Sequence, residues 1–331
     1  MFCDEVDLTV ILGNNSVYCS VVIPVFNKRH FIEPALKSVL SQSFRDFEVV
    51  VIDDGSTDGS GAVVRAMNDP RVRLFEQANS GVSVARNAGI QKARGELIFF
   101  FDGDDWMHED YLRIQIDQAK KHPQMSFFAA RFLRFDSELV APDSWAVMPP
   151  VSVLILNDLP TAWTHGQTFI TSAVGVRRSA LVALQPCFPP GESKGEDMDL
   201  WFRLGELGPL CLTDAPLIGY RDGTPGSLTT QHAGMVFPPY LQRMDARARS
   251  GQLSPTLTAS TLRFVAEAHI TKARVLLVQG QRLAAVRNLL LAKAAVKRPR
   301  WWLSWLMVVA FSSRAVDKWE QSRILRTQAR V

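Results

Sequence analysis

Four apolar runs punctuate the first third of this 331-residue chain: VYCSVVIPVFN at 17–27, FEVVVI at 47–52, VRLFEQ at 72–77 and ELIFFF at 96–101. The second and fourth lack the apolar–polar alternation of a half-exposed strand, which points to burial on both faces, as in parallel sheets. Between the runs lie helical patterns. HFIEPALKSVLSQ places Phe31, Ala35, Leu36, Val39 and Leu40 at helical spacing, a short helix is expected near 58–67, and another is opened by Asn79, Ser80 and Gly81. Strands and helices alternate in this way through residue 135, the pattern of a doubly wound, mostly parallel α/β sheet.

Acids gather where two of these runs stop. Asp53 and Asp54 follow FEVVVI, while Asp102, Asp104 and Asp105 bracket Gly103 after ELIFFF. Open α/β sheets bind ligands beyond the carboxyl ends of their strands. Carboxylates crowded there repel one another unless a cation or ligand donors neutralise them. The layout suggests a site for a metal and a donor-rich polar ligand, and a nucleotide diphosphate fits that description.

Farther along, prolines interrupt 136–190, a stretch suited to shaping a cleft. GEDMDLWFRLGELG predicts a helix with Leu200, Trp201 and Leu204 on its inner face, and CLTDAPLIGYRDG a closing hairpin or strand pair. Residues 258–296 predict two helices split at Gln279-Gly280-Gln281. The expected organisation is an N-terminal extension at 1–17, a catalytic domain at 18–231, a linker at 232–255 and a basic helical module at 256–331.

SVVIPVFNK, SVLSQSFRDFEVVVIDDGSTDGS, NSGVSVARNAGI, LIFFFDGDDW and GEDMDLWFRL, in this order and spacing, resemble the family 2 glycosyltransferases of the GT-A fold. The resemblance covers about residues 18–230. It implies transfer of a single sugar from a nucleotide donor, most simply a UDP-sugar, to a glycan or lipid-linked acceptor, with Mn²⁺ or Mg²⁺ as cofactor. Asp54 would then accept a hydrogen bond from the base, with Asp53 beside it. Phe26, between Pro24 and Asn27 at the end of strand one, would stack on the base. Asp104 would sit near the ribose, Asp105 would ligate the metal, and Asp102 would help hold the turn or the metal.

Asn79, Gly81 and Arg86 lie at a helix N-terminus, which favours anions; Arg86 pairs either with a donor phosphate or with the aspartates as an internal strut. By the same resemblance Asp197 is the general base beside Glu196, acting with inversion at the anomeric carbon. His232 would lie near the diphosphate. Trp201 packs either on a sugar ring or in the core. The QxxRW motif of processive synthases is absent, which favours single addition. A nucleotidyltransferase or a dinucleotide oxidoreductase would need a Gly-rich loop where this chain has PVFNKRH. The rival from a different class is an inactive family member serving as a glycan- or partner-binding scaffold.

Charge divides the chain. Residues 281–331 hold eleven Lys or Arg and two acids, a net of +9, against 26 basic and 31 acidic residues over the preceding 280, a net of −5. The acidic body argues against wrapping a nucleic acid. KRPRWWLSWLMVVAF at 297–311 is too short to span a bilayer, yet basic and Trp residues at an apolar edge suit an anionic membrane surface. Core closure or an oligomer contact is the alternative. An acidic N-terminus, unlike a secretory signal, and four cysteines (Cys3, Cys19, Cys187, Cys211) without metal-ligand spacing lead to an expected cytoplasmic location, peripheral on the inner membrane face.

Overall fold

The computed structural model describes residues 17–135, 151–223 and 237–328. They divide into two compact units, the first running to Asn157 and again over Gln167–Ser227, the second holding Asp158–Gly166 and the chain from Leu228.

The first unit is a nine-stranded sheet with helices. Its elements are β1 (Cys19–Val25), α1 (Ile32–Leu40), β2 (Phe47–Asp53), α2 (Ser60–Ala66), β3 (Val72–Glu76), α3 (Val82–Lys92) and β4 (Leu97–Phe100). Then come β5 (Trp106–Met107), α4 (Tyr111–Lys121), β6 (Phe127–Phe135) and β7 (Val153–Leu156). A short helix of the second unit, α5 (Leu159–Thr164), intervenes before β8 (Val174–Arg177), α6 (Arg178–Ala183), α7 (Glu196–Leu207) and β9 (Leu210–Arg221).

The order across the sheet is β3-β2-β1-β4-β8-β6-β9-β5, with β7 on β9. β2 and β4 are buried along their whole length, as their unbroken apolar runs require. Parallel register aligns Val25 with Asp53 and Asp53 with Glu76, so the carboxyl ends of three strands share one edge. The chain runs outward from β1 to β3 and returns to β4 on the other side of β1. Such a reversal opens a crevice beyond the strand ends. Asp102–Asp105 leave β4 at that point.

The expected α/β sheet is present with a mixed half, and one local expectation needs correction. The sheet is parallel over β3-β2-β1-β4, but β8 pairs antiparallel with both β4 and β6, and β5 and β7 run antiparallel to β9. The segment expected to be a hairpin is the single strand β9, parallel to β6 with a register shift where Arg131 meets Pro216. Pro216 has no N–H for the ladder, and a bulge absorbs that defect without reversing the chain.

The second unit adds α8 (Pro239–Arg249), α9 (Pro255–Val278), α10 (Arg282–Leu291), α11 (Pro299–Ala310) and α12 (Ser313–Gln328). α9 starts where Ser254 Oγ accepts the Leu257 N–H and Pro255 opens the first turn. Its stripe Ala266, Ile270, Ala273 and Leu277 packs with Ala285 and Leu289 of α10 and Met307 and Val308 of α11. Among the described residues no helix is long and apolar enough to cross a membrane.

Candidate active site

The ends of β1 and β2 are tied together. Asn27, at φ 52°, accepts the Thr57 N–H at 2.9 Å and gives its own N–H to Ser56 Oγ at 3.0 Å. Asp53 Oδ1 holds the Ser56 N–H at 2.8 Å. Gly55, at φ +78°, is required twice: a side chain there would be strained and its Cβ would lie 2.8 Å from the Asn79 nitrogen. Asp54 is buried and accepts from Gln77 Nε2 (2.7 Å), Ser80 N (2.9 Å) and Gly81 N (2.8 Å). Its first task is therefore to shape the loop entering α3. Three of a carboxylate's roughly four acceptor positions are thereby filled. Phe26 is 47% exposed, as a stacking surface must be and a core residue is not. Pro24, two residues earlier within β1, is half-buried.

The second cluster is held from several sides. Asp105 is buried, with Oδ2 receiving the Ser172 hydroxyl at 2.5 Å and Oδ1 the Arg221 N–H at 3.1 Å. Burial, then Asp104 and Asp102, push its carboxyl well above the usual range. Asp104 pairs with Lys28 Nζ at 2.5 Å. Asp102 gives its N–H to Ser172 Oγ at 3.0 Å and accepts Arg86 Nη2 at 2.9 Å.

Arg86 lies buried in α3 and reaches a second acid, Glu196, at 2.8 Å. Burial opposes its charge, but Asp102, Glu196 and Asp197 together raise its pKa further than burial lowers it. Between the readings open for Arg86, the bridge from Asp102 to Glu196 is the one the geometry displays. Glu196 is pushed up to about 7, first by burial and then by Asp197, against the pull of Arg86.

Asp197 stands in the first turn of α7 and takes the Thr171 hydroxyl at 2.7 Å through Oδ2. Thr171 and Ser172 are consecutive in a 3-10 turn, Thr171–Ala173, leading into β8. One turn thus reaches Asp197 with one hydroxyl and Asp105 with the next, so the clusters from β4 and α7 converge. Thr171, Ser172, Lys28 and Arg221 were not anticipated. TFITSAVG carries no motif, and only the antiparallel insertion of β8 beside β4 brings its hydroxyls to the acids.

Trp201 is 1% exposed and packs against Phe100, Phe127, Phe169 and Phe188 with ring centroids 5.6–6.4 Å apart; it belongs to the core, because the inner face of α7 meets the sheet. His232 lies outside the described residues.

Among the described residues no group of three or more His, Cys, Asp or Glu side chains stands placed to hold an ion. The donor set instead suits a cation carried mainly by its ligand. Asp102 is 32% exposed and its Oδ2 accepts no hydrogen bond from the described residues, and Asp105 lies behind it. Mg²⁺ is commonly bound by one or two carboxylates plus substrate phosphates, and an all-oxygen set suits Mg²⁺ or Mn²⁺.

Over 95 residues the chain is 38% identical to the glycosyltransferase GlyA of Streptococcus pneumoniae, covering 28% of this chain and 14% of that protein. Over 121 residues it is 36% identical to the uncharacterised glycosyltransferase EpsJ of Bacillus subtilis, covering 36% and 35%. The match therefore spans a minor part of either relative's length.

At the level of fold, the structure superimposes on Staphylococcus aureus TarS residues 1–349 in complex with UDP, with a TM-score of 0.64, 18% identity and 92% of each chain covered. The mannosyltransferase PcManGT of Pyrobaculum calidifontis, in complex with GDP-Man and Mn²⁺, gives 0.54 at 18% identity, covering 92% of this chain and 83% of that one. The α/β sheet with its helical C-terminal region is thus of GT-A architecture. Residues 20–181, which carry nearly all of β1 through the Thr171-Ser172 turn, match the family profile of Glycosyl transferase family 2, and it is that segment which carries the family's pattern.

Proposed function

We propose that the protein transfers a single sugar from a nucleotide donor, a UDP-sugar, to a hydroxyl of a glycan or lipid-linked acceptor, with inversion. The observation that carries this reading is the meeting of Asp105 and Asp197 at adjacent hydroxyls of one turn. In this scheme Phe26 stacks on the base, Asp54 accepts from its ring N–H, Asn79 and Gly81 face the phosphates, and Asp104 lies near the ribose. Asp102 and Asp105 hold a divalent cation. That cation, when bound, supplies Lewis-acid stabilisation of charge on the leaving diphosphate.

Asp197 takes the proton from the acceptor hydroxyl as its oxygen forms a bond to the anomeric carbon. The bond from that carbon to the diphosphate breaks on the opposite face, which inverts the configuration. Thr171 holds Asp197 in place for this, leaving Oδ1 bonded to the Met198 N–H. Attachment of the basic tail to the inner face of an anionic membrane would bring the site to a lipid-linked acceptor.

A thermal-shift series with UDP, in Mn²⁺ and again with chelator, tests the reading. Stabilisation by UDP that depends on the metal is expected. Absence of any shift with UDP or with other nucleoside diphosphates would remove it.

A further inference from the structure

α11 presents an inverted pattern. It has two polar side chains after its opening proline, and both are tied inward. Ser304 is fully buried, accepting Arg274 Nε at 2.8 Å and donating to the Arg300 carbonyl at 2.8 Å. Arg300 pairs with Glu267 and Thr271 of α9, each at 2.7 Å. The outward stripe is left wholly apolar. Trp302, Leu306 and Val309, at positions i, i+4 and i+7, are 60%, 52% and 78% exposed. Phe311 and Leu283 extend this surface at one end, where the Arg282 guanidinium binds the Val308 and Phe311 carbonyls. A water-facing helix puts its hydroxyls outward; this one spends its polar groups on the core and keeps tryptophan and leucine outside.

The sequence around α11 carries one sign of charge. No acid occurs between 281 and 316, and Arg287, Lys293, Lys297, Arg298 and Arg314 are exposed and in no ion pair among the described residues. At the start of α11 a cavity of about 710 Å³ has Tyr240, Arg263, Phe264, Arg298 and Arg300 in its lining, together with Glu267, whose charge Arg300 offsets.

We propose that the Trp302-Leu306-Val309 face of α11 beds into an anionic phospholipid surface, with Arg263 and Arg298 at the neighbouring cavity receiving a lipid phosphate. This rests on the membrane-surface reading of the tail and assigns it a face and a headgroup site. Apolar side chains enter the acyl boundary while the unpaired basic rim meets anionic headgroups, the division that interfacial helices use. The helix lies along the surface, because twelve residues cannot cross it.

The test is co-sedimentation of the full chain with vesicles of phosphatidylcholine alone and with about 30% phosphatidylglycerol added. Pelleting with the anionic vesicles only is expected. The variant W302E/L306E, altered on an already exposed face, should keep its melting temperature and partition at least about tenfold more weakly. R263Q/R298Q should lose the preference for anionic vesicles. Equal pelleting by W302E/L306E would overturn the assigned face while leaving membrane attachment standing. No pelleting of the unaltered chain would overturn both. A lipid-free dimer that W302E/L306E dissociates, without vesicle binding, would overturn the proposal and make this face a contact between two copies. Vesicle binding is read without sugar transfer, so none of these outcomes depends on the donor chemistry.

Discussion

Thr171 donates its hydroxyl to Asp197 Oδ2 across 2.7 Å, from the same turn whose next residue holds Asp105. Thr171→Val keeps the side chain's volume and deletes the bond. It should lower kcat about 10–100-fold, the usual cost of losing a partner that orients a catalytic group, with UDP affinity unchanged. Thr171→Ser should restore most of the rate. A KM-only effect would assign Thr171 to binding.

Asp197→Asn retains shape and removes the base. Transfer should fall by about 10²–10⁴-fold while metal-dependent UDP binding persists. Single-turnover kinetics against calorimetric UDP titration separates the two, and near-normal turnover would place the base elsewhere.

Asp105→Asn should weaken UDP binding in Mn²⁺ by about tenfold or more, with little change when UDP is titrated in chelator. Because Asp105 also accepts from Ser172 and Arg221, melting temperature should be recorded alongside. An unchanged UDP titration in Mn²⁺ by a folded variant would free Asp105 of a metal role.

Arg86 bridges Asp102 and Glu196. Arg86→Met should cost about 3–5 kcal/mol, because it strands the buried Glu196 carboxylate without its partner; urea unfolding measures this. Glu196 adds a pH signature. Its folded pKa of about 7 lies above the ordinary 4.5, so the folded state binds more protons than the unfolded chain between those values. Stability is highest below about 4.5 for this group and falls as pH rises toward 7, by about 1–3 kcal/mol. Glu196→Gln should flatten that slope, and an unaltered pH dependence would mean Glu196 is ionised throughout.

Trp201→Ala should destabilise the first unit by about 3–5 kcal/mol, the cost of a large aromatic cavity in a core. At temperatures where the variant stays folded its affinity for acceptor should be unchanged. A stable variant with weakened acceptor binding would return Trp201 to the sugar site.

Much of the site was legible because each acid cluster ends a buried strand, where chain direction alone sends the side chains to one edge. Asp53, Asp54, Asp102, Asp104 and Asp105 could be found that way. Phe26 came from the family resemblance alone; the structure leaves it 47% exposed. Trp201 was not decidable, since an aromatic at helical spacing has the same pattern whether it meets a sheet or a sugar. Thr171 and Ser172 were invisible for a different reason: they sit in a stretch with no period, and their roles depend on a neighbour some 26–67 residues away.

By itself the sequence determined the alternating strands and helices, the mostly parallel α/β class they imply, and the charge contrast between body and tail. Those properties follow from local periodicity, and periodicity survives in one dimension. Only the tertiary structure decided that β8 enters antiparallel, that one turn clasps Asp105 and Asp197 together, that Arg86 is a strut, and that α11 turns its polar residues inward. Each of these is a pairing between distant segments, settled by which buried polar group finds a partner and which apolar face finds none.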